Sequence, residues 1–309
     1  MGILKGVAIN GVLIATLAHA LVGISLVWDK VLLNRRLTQN LAAYVFWLGA
    51  ISIFGLALIP FGFHRPRLWW AVLGFAAGLL DLIASYFYYW ALKAGEASDE
   101  LAAMGGFAPV ETALFAILLL NQPIGRQLLG FVLMTAGGFI MFFAEKRPLQ
   151  TMLPKIVLAA SGFGLMNVIE KIVFNHTNFV TGFVFVTLGT TVGSLCMLIP
   201  PGWRRQIFEH SEEAPPKSKL WYMGNRFTAG VGSFLAVYAV SLANPALVEA
   251  ISGVRYVVVF LGAYAITRLK PAWFREDFRL PVLIAKVTAT ALVVAGLVIT
   301  GMRDHTAIR

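Results

Sequence analysis

The sequence predicts an all-α integral membrane protein: ten transmembrane helices arranged as two inverted five-helix repeats. Three observations predict it. The chain is 59% hydrophobic and only 13% charged over its 309 residues, whereas soluble domains are about half apolar and a quarter charged. So little polar surface leaves the bilayer as its solvent. The apolar residues fall in ten continuous runs, each near the ~20 residues that a crossing helix needs. Finally, GISLVWDKVLLN (Gly23 to Asn34) returns as GLMNVIEKIVFN (Gly164 to Asn175).

The runs cover 7–33, 41–62, 69–92, 98–120, 127–144, 156–174, 179–200, 220–242, 247–268 and 281–301. They are continuous rather than alternating, which fits helices and not the strands of a closed barrel. The first run begins after Lys5 and continues to Trp28, too long for the apolar core of a signal peptide. Glu145 to Lys155 joins the fifth and sixth runs and divides the chain into repeats 1–147 and 148–309. The longest connection, Gly202 to Lys219, carries Glu212-Glu213 and Pro215-Pro216 and reads as a solvated loop.

The halves match at further points. Ile59-Pro60 answers Ile199-Pro200, Leu68-Trp69 answers Leu220-Trp221, and Gly78 answers Gly230. Tyr88 through Leu92 matches Tyr238 through Leu242. An odd number of spans per repeat makes the second copy enter from the opposite side. Such inverted repeats place a binding site near the midplane where the copies meet.

The formal charge of +10 sits mostly at the ends of apolar runs, where Lys and Arg anchor spans against headgroups. It does not predict a nucleic-acid partner. The single cysteine, Cys196, reads as a small buried hydrophobe, and no metal or cofactor is expected. No phosphate loop, HExxH or GxSxG motif occurs, so no enzyme activity is predicted.

Charges inside the runs mark the candidate site, because a charge near lipid is costly. Each repeated motif carries an acid and a lysine, Asp29-Lys30 and Glu170-Lys171. Neighbours on a helix point about 100° apart, so one member of each pair turns inward. A role as helix-end anchors and a role in gating both fit. Asp81 lies in the middle of the third run, with Ser85 and Tyr88 on its face; it suits either proton coupling or an interhelical hydrogen bond. Glu111 follows Pro109, which frees the Gly105 carbonyl. Beside it, Glu111 reads equally as a ligand contact or an internal ion pair. Arg226 and Arg255 can hold a carboxylate or phosphate bidentately, or pair with Asp81, Glu111 or Glu249. Lys286 reads as reaching out to headgroups, and His19 as a proton relay or a structural hydrogen bond.

YYWALKAGEAS and later YAVSLANPALVEA, each followed by an apolar run ending in a turn with proline, resemble the drug/metabolite transporter superfamily, EamA-like branch. Phe107 to Pro123, FAPVETALFAILLLNQP, looks like that family's fourth helix. The chain departs from it at Asn121-Gln122, where the family usually carries an acid. The resemblance implies a secondary active transporter working by alternating access, in a bacterial inner membrane, as monomer or homodimer. The mixed carboxylates and guanidinium groups favour a small zwitterionic or anionic metabolite, with proton coupling at Asp81. Efflux of lipophilic cations and flipping of a lipid headgroup are the alternatives. The resemblance puts both termini in the cytoplasm; the surplus of basic residues in the opposite loops argues for the reverse.

Overall fold

The computed structural model describes residues 2–33, 41–94, 97–144, 149–209, 216–270, 273 and 280–306. Among these every regular element is helical. In order they are α1 (Gly2–Leu33), α2 (Leu41–Ile51) continued by a 3-10 segment (Ser52–Phe61), α3 (Leu68–Ala94), α4 (Ala97–Leu120), α5 (Leu128–Ala144) and α6 (Leu149–His176). Then follow α7 (Phe179–Cys196), α8 (Pro201–Glu209), α9 (Pro216–Leu242), α10 (Pro245–Ile251), α11 (Gly253–Leu269) and α12 (Leu280–Thr306). Seven segments among the described residues are long and apolar enough to cross a membrane: Gly11–Asp29, Leu41–Phe61, Leu68–Ala91, Leu153–His176, Phe179–Cys196, Pro245–Leu269 and Leu280–Thr300. Met104–Leu120 and Leu128–Ile140 are shorter apolar helices.

Polar residues set the helix ends. Asn178 caps α7 by accepting from the Thr181 amide at 2.8 Å. Asn244 caps α10 by accepting from the Ala246 amide at 2.9 Å, with Pro245 in the first turn, where its missing N–H costs nothing. Past the end of α4, Asn121 adopts φ 51, a left-handed conformation that asparagine tolerates.

The main packing pairs are α1 with α9, α3 with α6 and α7, α4 with α6, α5 with α12, and α1 with α11. Small residues permit the closest approaches. A Cβ on Gly78 would lie 1.9 Å from the Val186 carbonyl oxygen, and one on Gly189 would lie 2.0 Å from that of Phe75, so α3 and α7 touch backbone to backbone. Gly138 of α5 meets the Gly105 carbonyl, within 2.4 Å of where its Cβ would stand. That carbonyl, freed by Pro109, is covered by a neighbouring helix.

Four expectations need correction. The Gly202–Lys219 stretch is not all loop: α8 occupies its start and α9 its end. Pro201 can open α8, and Trp203 and Ile207 recur at helical spacing; Ile207 is fully buried beside Phe46 and Leu82. The ninth apolar run is broken at Ser252 into α10 and α11, where Ser252-Gly253 is a weak helix-forming pair. Cys196 is exposed, because the last turn of α7 presents it to the outside. Lys286 is buried at 4% exposure; its place on α12 turns it into the bundle.

Candidate functional site

The intramembrane charges gather in three groups, each held by helices from both halves of the chain. The first lies between α1 and α9. Asp29 pairs with Arg226 and accepts from the Asn225 side-chain amide at 2.7 Å. Arg226 also bonds the Tyr44 hydroxyl of α2 and lies 5.1 Å from that ring's centre. Both charged side chains are largely buried, 9% and 13% exposed. The guanidinium therefore ends on Asp29, not on Asp81, Glu111 or Glu249. Asp29 is the member of its pair that turns inward; the side chain of Lys30 lies outside the described residues.

The second group lies between α3, α6 and α7. Asp81 is half-buried, and the Thr190 hydroxyl stands 3.5 Å from its Oδ2. Glu170 is buried at 1% exposure, its Oε2 has no hydrogen-bond partner, and its helix packs against α3, which carries Asp81. Lys171 turns away and donates to the Ser241 carbonyl of α9 at 2.9 Å. Tyr88 stacks edge-on against Tyr89, centres 5.0 Å apart, and against Phe163. It belongs to the aromatic packing above Asp81.

The third group surrounds the break between α10 and α11. Arg255 stands in the first turn of α11 and Glu249 near the end of α10. The Nε–H of Arg255 donates to Nδ1 of His19 at 2.9 Å. A guanidinium can only donate, so that ring nitrogen carries no proton. Nε2 therefore bears the hydrogen and donates to the Val248 carbonyl at 3.0 Å. His19 is thus held neutral by both partners, which fits a positioning role and not a proton relay. Glu249 accepts from the Asn167 amide at 3.1 Å. Arg255 and Glu249 form no ion pair with each other among the described residues. Glu111 of α4 accepts from Ser161 of α6, while its Oε2 is buried without a partner.

The sequence did not single out Tyr44, Asn167, Thr190 or Asn225. Asn167 had a usable signal: an amide inside an apolar run, one turn before Glu170. Tyr44, Thr190 and Asn225 gain their roles only from which helices meet.

Comparison with known proteins agrees with this architecture. Residues 9–143 match the EamA-like transporter family. No curated protein matches the chain. A solved structure described only as "Crystal structure of protein" is similar over 97% of this chain and 99% of its own, at 17% identity and a TM-score of 0.65; that likeness concerns the fold alone. The chain is an integral membrane protein whose residues 9–143 are similar to the EamA-like transporter family.

Proposed function

We propose that this chain is a secondary active transporter for a small zwitterionic or anionic metabolite, working by alternating access between two inverted five-helix repeats, 1–147 and 148–309, and coupled to protons. The observation that carries the substrate reading is the pair Arg255 and Glu249 at the helix break. Transporters commonly build substrate sites at interrupted spans. Here an arginine is fixed through its Nε by His19, so its two terminal nitrogens face no described partner. They can take a carboxylate or phosphate side-on. Glu249, anchored through one oxygen by Asn167, offers the complementary charge for an amine.

The packing supports the inverted arrangement. α1 lies antiparallel to α9: Gly11 abuts Ala243 and Gly232 abuts Ala18. α6 lies antiparallel to α3: Gly74 abuts Val173 and Gly162 abuts Ala84. These are corresponding pairs if the sixth to tenth spans repeat the first to fifth.

A thermal-shift screen of purified protein against amino acids, organic acids, sugar phosphates and quaternary ammonium compounds tests the substrate class. An amino acid, organic acid or sugar phosphate is expected to raise the melting temperature, and Arg255→Gln to remove that rise. Stabilisation by quaternary ammonium compounds alone would replace this reading with cation efflux. For coupling, Asp81→Asn is expected to abolish proton-driven uptake into liposomes while the protein still folds; unchanged uptake removes Asp81 from the mechanism.

A further inference from the structure

Asp81 and Glu170 present a problem in charge that the substrate site does not solve. Glu170 is among the largest fully buried side chains, and one of its oxygens has no partner. A carboxylate in such a place normally has a cation beside it. The cations nearby are engaged elsewhere. Lys171 reaches the Ser241 carbonyl of α9, Arg226 ends on Asp29 and Tyr44, and Arg255 bonds His19. At the ends of α6, Lys155 lies over the Trp90 ring and His176 stacks on Trp70.

Among the described side chains, the other titratable groups considered around α6 are acids or phenols. Glu111 on α4 is held by Ser161, and Glu249 on α10 by Asn167. Tyr238 on α9 packs on Phe179. From α7 the Thr190 hydroxyl reaches Asp81. Asp81 lies on α3, packed against α6 through the Gly74–Val173 and Gly162–Ala84 approaches, close enough for its carboxylate to bear on Glu170. Two neighbouring carboxylates repel when both are ionised, which favours holding a proton between them.

Thr190 adds a second observation. Its hydroxyl oxygen lies 3.1 Å from the Gly78 carbonyl, 3.2 Å from that of Val186 and 3.5 Å from Asp81 Oδ2. One hydroxyl proton cannot serve three acceptors. With two carbonyls nearer, the threonine oxygen is free to accept from a protonated Asp81.

We infer that Asp81 and Glu170 form one proton-binding site across the α3–α6 contact, and that its proton is the one exchanged during transport. The second half of that statement rests on the proposed transport function; the first half does not. The step is a proton transfer alone: a carboxyl O–H breaks, water takes the proton, and a carboxylate remains.

Infrared difference spectroscopy on the full chain in lipid, stepping from neutral to alkaline pH, tests the site without any substrate. A neutral-carboxyl band is expected at neutral pH and lost at alkaline pH. Isotopic labelling of aspartate carboxyls in the unmutated protein should shift part of it, and labelling of glutamate carboxyls another part. Asp81→Asn combined with Glu170→Gln should remove those components. No neutral-carboxyl band at neutral pH overturns the inference, as does a band untouched by both labels. Loss of the band on replacing potassium with sodium also overturns it, because the pair would then bind a metal ion. A normal band with no transport would refute the transport reading and leave the site standing.

Discussion

Asp29 and Glu170 occupy the same place in two copies of one motif, yet their surroundings are opposite. Asp29 meets a guanidinium, a side-chain amide and a phenol on α9 and α2. Glu170 is packed against α3, the helix of Asp81, and has an oxygen with no partner. Each acid faces a helix of the other half: the first meets Arg226 of α9, and the second packs on α3, the helix that carries Asp81. One acid is locked in an ion pair, and the other keeps a buried oxygen without a partner.

The flanking seams differ in the same sense. Gly78 lets α3 press onto α7, whereas a Cβ on Gly230 of α9 would meet nothing within 4 Å. The α3 side is sealed by backbone contact; the corresponding flank of α9 is not.

Breaking the locked pair should have the largest effect on stability. Arg226→Met leaves a buried carboxylate uncompensated, a loss of about 3–5 kcal/mol. Thermal unfolding in detergent should show it, and adding Asp29→Asn should recover most of the loss. If the double variant is no better than the single one, the pair is not what holds α1 to α9. Next come the seams. Gly78→Ala should cost about 1–3 kcal/mol through overpacking. Gly230→Ala should be neutral or gain up to about 1 kcal/mol, since alanine favours helix. Equal effects of the two would erase the asymmetry. The smallest change is expected from Glu170→Gln, which keeps the shape of the neutral acid: under about 1 kcal/mol in the same assay. A loss as large as that of Arg226→Met would mean that Glu170 is ionised and paired after all.

Most of the helical architecture was legible in the sequence because the bilayer imposes a simple rule: long apolar runs become helices. Pro60 and Asn121 stand close to where helices end, and Pro201 opens one. The rule fails where polarity and helicity part company. α8 is helical yet mostly exposed, and only its Trp203 and Ile207 spacing hinted at it. The break at Ser252 carries no charge or proline to announce it. Within the site, residue type was readable and partnership was not. Costly charges declare themselves in any apolar run. A helix sequence does not say which neighbour its polar face will meet. Arg226 therefore found Asp29 in place of the acids assigned to it, and Arg255 found a neutral imidazole. Asp81 and Glu170 lie on two helices that pack together, α3 and α6, and their acids were each noticed but considered apart.

Two asparagines fasten one rim of the molecule. Asn178 begins α7 and donates to the Gly62 carbonyl at 2.6 Å, while Asn244 begins α10 and reaches the Gln122 carbonyl at 3.5 Å. Each clips the start of one helix to a turn contributed by the first half of the chain. Cutting either stitch would free a helix start from its turn, so a single side-chain amide decides whether those two segments must shift as one.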